Sequence, residues 1–469
     1  MSNTLTFTLA GLLLILQFPS QQVAQAQTQE SPSRFLFAAV HNSKHFPKTE
    51  TGLFVFDIEN GHQLVDEITE SKLGPHRAGW GGMTAHAETG RLIHIDDQHY
   101  IRCFDIVSRE LLWERGQETK AERKWAAAEE GRDIKERSFS YIERRTGITK
   151  DGKYLLIPDR QSANPRRGFG TPVVRVLDME TGEWVKNIPL VDPAGEDRDS
   201  LRGNPHHLQV MRNYIYASKW NDGHVYLINP QTLEVERRIG PVTLYDEAPD
   251  SGDGAAPASE GANLGYEPDH QSQSIQHFSV SPDEKYVFVE PVKSYGLGII
   301  EVESGEYLGR WDHPDPETPG IQKERFDANM RGNKLHSKLN HGIAVRPGTN
   351  EVWTTSDRWG YLHVWDVSQF PPKHVRVVPV YEDIKERVMD FSWVNFSIDG
   401  DYCYAFDKVI DAETGEIVKR LPGLNESSLE IQILDDQVVR TGHGCGSGLE
   451  TWTEGFDIRP SKQWPPVNY

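Results

Sequence analysis

A short turn recurs seven times along this chain, each time between two β-rich runs, and such a repeat limits the fold more than composition does. Its copies are Phe56-Asp57-Ile58-Glu59-Asn60-Gly61, Phe104-Asp105-Ile106-Val107-Ser108-Arg109 and Leu177-Asp178-Met179-Glu180-Thr181-Gly182. Four more follow at Ile228-Asn229-Pro230-Gln231-Thr232-Leu233, Ile300-Glu301-Val302-Glu303-Ser304-Gly305, Trp365-Asp366-Val367-Ser368-Gln369-Phe370 and Ile410-Asp411-Ala412-Glu413-Thr414-Gly415. Asp or Asn accepts backbone N–H bonds as a strand ends, and Gly supplies a positive φ. The spacing is uneven, 45 residues from Asp366 to Asp411 but 73 from Asp105 to Asp178, which implies loop insertions on a repeating unit.

A second turn lies upstream in most units, at Lys150-Asp151-Gly152-Lys153, Ser281-Pro282-Asp283-Glu284, Arg346-Pro347-Gly348-Thr349 and Ile398-Asp399-Gly400-Asp401. The flanking runs alternate, as in Val173-Val174-Arg175-Val176-Leu177 and Glu416-Ile417-Val418-Lys419-Arg420-Leu421. Each unit therefore reads as four strands, and four short antiparallel strands repeated radially make propeller blades. The expectation is an all-β, seven-bladed β-propeller of four-stranded antiparallel blades. The first unit starts at Phe35-Leu36-Phe37 without a first strand of its own. The run Leu429-Glu430-Ile431-Gln432-Ile433-Leu434 is left over at the far end. Pairing the two closes the ring and removes exposed sheet edges. The further run Val438-Val439-Arg440-Thr441 keeps eight blades open.

Residues 4–18 form the one long apolar run, interrupted by Thr6, Thr8 and Gln17, and Val23-Ala24-Gln25-Ala26 follows as an A-x-A cleavage pattern. Residues 1–26 read as a signal peptide cut after Ala26, although no Lys or Arg precedes the run; an uncleaved anchor is the alternative. The mature chain, 27–469, reads as a single propeller domain, secreted or periplasmic, with no membrane span. Insertions fall near 115–145, 241–275 and 312–340; residues 119–137 are charged and Ala-rich, as a helix would be. Lys and Arg number 50 against 70 Asp and Glu, a net charge of −20, which repels phosphate backbones and excludes nucleic acid as a partner. Three cysteines cannot form a disulfide framework; Cys403 and Cys445 are the nearer pair, and the absence of C-x-x-C-H excludes covalent c-type haem.

His341-Gly342-Ile343-Ala344-Val345-Arg346-Pro347-Gly348, with Glu351-Val352-Trp353-Thr354-Thr355-Ser356-Asp357 behind it, resembles the YVTN-type propeller repeat. So does His277-Phe278-Ser279-Val280-Ser281-Pro282-Asp283, followed by Lys285-Tyr286-Val287-Phe288-Val289. The resemblance covers most of the mature chain and implies the fold. In architecture it extends to the haem d1, amine dehydrogenase heavy-chain, nitrous-oxide reductase and lactonase propellers, whose chemistries are unrelated, so it implies no reaction.

Three histidines, His207, His277 and His341, stand just ahead of the first strand of successive units, so radial symmetry brings them together at one end of the channel. Converging imidazoles suit a transition metal such as copper, zinc or iron. His206, His270 and His336 lie nearby, while Trp393 and Arg144 or Arg145 interrupt the pattern in other units. A histidine at this place also serves to bond the neighbouring blade. Asp96-Asp97-Gln98-His99 offers carboxylates beside an imidazole but suits a turn better. Of the 12 Trp, Trp80 in a glycine-flanked loop is the one set apart from a core role, and Gly444-Cys445-Gly446 beside His443 lacks the strand-to-helix elbow that a nucleophile needs. Two readings remain: a binding module for a small molecule or protein at the channel mouth, or a metal- or cofactor-dependent oxidoreductase using the same histidines.

Overall fold

Each hairpin of the repeat is closed by a side chain acting on its own backbone. Asp178 Oδ1 accepts from the N–H groups of Glu180 and Thr181, both at 2.9 Å, and Gly182 N–H donates to the Asp178 carbonyl. Asp105, Asn229 and Asp411 repeat this arrangement. In six of the seven turns the last residue has positive φ: Gly182 sits at 69° and Gly415 at 78°, and Arg109 (65°) and Leu233 (55°) take the same conformation without being Gly, whereas Phe370 of blade 6 does not. The second turn is held by a hydroxyl. Ser397 Oγ donates to Asp399 at 2.7 Å and accepts from Tyr402 N–H at 2.9 Å, as Thr149 and Ser281 do in their units.

The computed structural model describes residues 31–40, 52–69, 82–95, 100–116, 145–159, 171–194, 203–220, 222–242, 275–291, 296–314, 341–356, 360–380, 393–421, 424–442 and 451–452. These contain strands and no helix, hence no helix long and apolar enough to cross a membrane. Blade 1 holds β1 (Ser33–Val40), β2 (Gly52–Asp57) and β3 (Gln63–Thr69); blade 2 is β4 (Gly82–His86), β5 (Arg91–Ile95), β6 (Ile101–Asp105) and β7 (Leu111–Arg115). Blade 3 is β8 (Gly147–Ile148), β9 (Tyr154–Asp159), β10 (Val173–Asp178) and β11 (Trp184–Pro189); blade 4 is β12 (Asn204–Val210), β13 (Ile215–Trp220), β14 (Val225–Ile228) and β15 (Val235–Ile239). Blade 5 is β16 (Ile275–Val280), β17 (Tyr286–Pro291), β18 (Gly296–Glu301) and β19 (Tyr307–Asp312); blade 6 is β20 (Ile343–Val345), β21 (Glu351–Ser356), β22 (Tyr361–Asp366) and β23 (Lys373–Pro379). Blade 7 is β24 (Val394–Phe396), β25 (Tyr402–Ala405), β26 (Lys408–Asp411) and β27 (Ile417–Arg420), after which come β28 (Leu424–Leu434), β29 (Gln437–Thr441) and β30 (Thr451–Trp452).

The protein is a seven-bladed β-propeller of four-stranded antiparallel blades. β28 completes blade 1, pairing antiparallel with β1 from Ser33↔Ile433 to Val40↔Leu424. The innermost strands then touch in a closed circle, β4–β8–β12–β16–β20–β24–β28–β4. The spare run does not begin an eighth blade: β29 pairs with β28 and extends the sheet of blade 1, with β30 beyond it.

Seven apolar layers fill the gaps between neighbouring blades. Val174 and Val176 of blade 3 pack on Leu208 and Ile215 of blade 4, while Leu155, Ile157 and Leu177 of blade 3 pack on Ile93 and Cys103 of blade 2. Middle strands are thus buried on both faces, so their sequences run nearly continuously apolar. Arg175 follows the same rule against expectation. It is 1% exposed and pairs with Asp159, accepted at 2.7 Å from Nε, over the face of Trp184. Burial lowers its pKa to about 9. The outermost strands alternate less than their sequences imply: Ile417 and Val418 of β27 are both exposed. Basic residues on these strands reach the next blade's turn carbonyls: Arg115 to Gly182, Lys186 to Thr232, Arg237 to Glu303, Arg376 to Ala412 and Lys419 to Gly61.

Cys103 and Cys403 are buried thiols without a disulfide. Burial pushes Cys103 up to about 12 and Cys403 up as well, so neither is a nucleophile. Cys445, the signal segment 1–26, the helix expected over 119–137, His270, His336, Asp96-Asp97-Gln98-His99, Trp80, His443 and most of the three insertions lie outside the described residues.

Candidate functional site

The innermost strands begin on one face of the ring, where the chain arrives from the outermost strand of the preceding blade. The segments between blades, including all three insertions, therefore start and end on this face. The opposite face carries the tight Asp-Gly-type turns. Loops on a rigid ring are where propellers and other scaffolds place binding groups.

His207, His277 and His341 do come together at this end, and His277 stands at the centre. Its ring centroid is 5.6 Å from that of His207 and 4.5 Å from that of His341. Three further residues join them. His206 lies 5.1 Å from His277, and Trp393 of blade 7 lies 4.2 Å from His277, 5.0 Å from His341 and 5.8 Å from His207. Arg145 of blade 3 reaches across the channel, its guanidinium 4.2 Å from the Trp393 ring. In the sequence Trp393 and Arg145 interrupt a histidine pattern; in the structure they are members of the same cluster. All six side chains are buried.

Register sets this convergence. Counting back from the residue that opens the inner hairpin puts Arg145, His207, His277 and Trp393 at one level, with Gly342 in blade 6. His341 sits one residue earlier, level with His206. β-Bulges at His206 in β12 and Gln276 in β16 insert one residue each, so consecutive residues of one strand can both reach the axis. His207 and His277 thus lie within their strands, whereas the sequence placed them ahead of the strands.

The hydrogen bonds assign protons. Arg145 Nη1 donates to His206 Nε2 at 3.2 Å, so a neutral His206 carries its hydrogen on Nδ1. Phe278 N–H donates to His207 Nδ1 at 3.2 Å, which leaves the hydrogen of His207 on Nε2 and ties blade 4 to blade 5. That tie is the neighbouring-blade bond expected of a histidine at this place. His277 is different. It is fully buried, and neither ring nitrogen has a hydrogen-bond partner among the described residues. Burial, then the charge of Arg145, then the surrounding imidazoles hold its pKa well below the usual range, so it is neutral. A neutral imidazole offers one donor and one acceptor, or a lone pair for a metal. Among the described residues no group of three or more His, Cys, Asp or Glu is already arranged to hold a metal ion.

Trp353 and Trp365 take core positions, at 0% and 3% exposure. A second histidine group, His313, His363 and His374, lies between blades 5 and 6 and had no signal in the repeat.

No protein-family description matches the chain, and no curated protein matches it. Among solved structures the chain is similar to dihydro-heme d1 dehydrogenase NirN in complex with DHE, with 13% sequence identity over 83% of this chain and 73% of that chain and a TM-score of 0.43. A likeness at that level says nothing of this chain's chemistry.

Proposed function

We propose that the protein is an exported binding propeller of the YVTN-repeat type that seats a small molecule or protein at the loop-bearing mouth of its channel, on His277 and the residues around it. The observation that supports this is His277 itself. Each buried polar atom left without a hydrogen bond costs about 1–3 kcal/mol, and a propeller core has ample apolar alternatives for such a position. A ligand that completes the imidazole gives that cost a purpose.

The test works whichever ligand occupies the mouth. His277→Leu removes the unfilled nitrogens while keeping the volume. On this reading the variant melts at the same temperature as the wild type or higher, and it loses whatever ligand the wild type retains from its natural medium. A fall in stability like that of a core truncation makes the cluster a structural plug and rejects the proposal. Export is tested by N-terminal sequencing: a mature chain beginning at Gln27 supports it, and an intact Met1 in a soluble cytoplasmic fraction overturns it.

A second reading, a metal-dependent oxidoreductase, draws on the neutral state of His277, since the neutral imidazole is the metal-binding form. Its ligands would be His207, His277 and His341, with copper, zinc or iron as the metal. Elemental analysis of the wild type beside the triple Ala variant decides it. Equal metal in both, or none in either under metal-replete conditions, removes this reading and leaves the binding module.

A further inference from the structure

We propose that His313, His363 and His374 form a proton-operated latch between blades 5 and 6, closed while all three imidazoles are neutral and opened when the group takes up more than one proton. The residues come from both blades. His313 follows β19 at the outer edge of blade 5. Thr354, His363, Trp365 and His374 lie on β21, β22 and β23 of blade 6, where Thr354 pairs with His363 and Trp365 with His374, so all four share one face. That face is the one packed on blade 5, where Trp365 meets Phe288 and Leu297.

Hydrogen bonding defines the closed state. Trp365 Nε1 donates to His313 Nδ1 at 3.2 Å, and an indole can only donate, so Nδ1 carries no hydrogen. The hydrogen of His313 is on Nε2, 3.2 Å from the Thr354 hydroxyl, to which it donates. His313 also stacks flat on His363, with centroids 4.1 Å apart and planes at 10°. His363 Nδ1 and His374 Nε2 are 3.1 Å apart and share one hydrogen between them.

Proton uptake is graded by this wiring. A first proton can rest on His374, the most exposed of the three, if the hydrogen of His363 moves to its other nitrogen. A second proton on the pair sets two N–H groups against each other. A proton on His313 Nδ1 faces the indole N–H and breaks one of the two bonds by which His313 fastens blade 5 to blade 6. Burial, reinforced for His313 and His363 by the neighbouring imidazoles, holds His313 well below the usual range, His363 at about 3 and His374 at about 4. These values lie below the roughly 6.5 of an unfolded imidazole. The closed latch is therefore fully stabilised above about pH 6.5 and weakens as pH falls towards 4.

On β17 the buried carboxylate of Glu290 shares with Phe288 the face turned to blade 6. The charges on β19 and on the strands of blade 6 are paired elsewhere or exposed. Arg310 pairs with Asp312 on β19, Glu351 with Arg346, and Asp366 caps Ser368 N–H. Arg376 reaches the carbonyls of blade 7, and Lys373 is exposed.

Hydrogen exchange on the intact protein, corrected for the pH dependence of the intrinsic rates, reads the latch. Each titrating imidazole multiplies the local opening constant by up to about tenfold per pH unit, so two give a slope of up to about a hundredfold per unit. Amides of Trp311 and of Leu362 to Trp365 should show that rise between pH 6.5 and 4.5, while β9 and β10 of blade 3, which hold no histidine, should not. In the variant His313→Gln/His374→Gln the glutamine at 313 keeps one acceptor and one donor but cannot titrate, and the steep rise should vanish. A rise of equal steepness in the variant, or in blade 3 of the wild type, overturns the proposal. Should the variant not fold, ¹⁵N shifts of the wild-type imidazoles decide it. His313 neutral and protonated on Nε2 at pH 5.5 supports the latch, and His313 doubly protonated at pH 6.5 refutes it.

Discussion

Glu430 is the side chain on which ring closure turns, and Glu430→Gln is the sharpest way to test that closure. It is fully buried on β28, and four donors meet its two oxygens. Oε1 accepts from Arg34 Nε at 2.8 Å and Gln432 Nε2 at 2.9 Å; Oε2 accepts from Arg34 Nη2 at 3.2 Å and Ile398 N–H of blade 7 at 2.8 Å. One carboxylate therefore joins β28 to β1 and to blade 7. Burial works against the charge of Arg34, but the Glu430 and Asp399 carboxylates outweigh it and hold the guanidinium pKa above its ordinary value. A glutamine has one oxygen and one NH2, and whichever way it turns, its NH2 faces two donors. Two hydrogen bonds to a charged group are lost, each worth about 1.5–3 kcal/mol, while Arg34 keeps Asp399 at 2.6 Å. The expected destabilisation is about 3 kcal/mol, at the low end of what breaking a buried pair costs. Urea unfolding at unchanged m-value measures it, and hydrogen exchange should show protection lost first along β1 and β28. Glu416→Gln, at an exposed position before β27, is the control and should stay within about 0.5 kcal/mol. A loss below that figure for Glu430→Gln, or a loss that leaves β1 and β28 as protected as before, refutes the reasoning.

Two further outcomes follow from local geometry. Gly400 sits at φ 77° with its missing Cβ 2.5 Å from the Pro347 carbonyl of blade 6, whereas Gly348, at φ 70°, has open space around it. Chemical denaturation should show Gly400→Ala costing about 2–4 kcal/mol and Gly348→Ala only about 1, and equal losses would remove the close approach as the cause. His62 is held at about 4 by burial and then by Lys419 and Arg34, beside Tyr404 of blade 7 at 3.1 Å. Its contribution is complete above about pH 6.5 and fades as pH falls towards 4, so His62→Asn should lose less melting temperature than the wild type between pH 7 and 4.5; parallel curves would contradict this.

Most of the fold was legible in the sequence because its signals are local. Asp57 to Asp411 mark the outer hairpins since an Asx side chain and a positive φ act within a few residues, and such a turn looks alike in one dimension and in three. The surplus run at Leu429 announced closure for the same reason: blade 1 visibly lacked a strand. What local signals could not decide is where side chains meet. Whether the chain had seven or eight blades depended on β29 pairing with β28, a choice of partner rather than of propensity. The repeat alone brings His207, His277 and His341 towards one end of the channel, yet the bulges at His206 and Gln276 shift the register by one residue, and a one-residue shift decides which side chain faces the axis. Trp393 and Arg145 became neighbours only across the diameter of the ring. Arg175 entered the core because Asp159 lies on the adjacent strand, and His313 met His363 because blades 5 and 6 pack face to face. Repeats and turns are properties of short sequence; convergence, burial and the protonation of His277 are set by radial packing between blades, which brings together residues as far apart as Arg34 and Glu430.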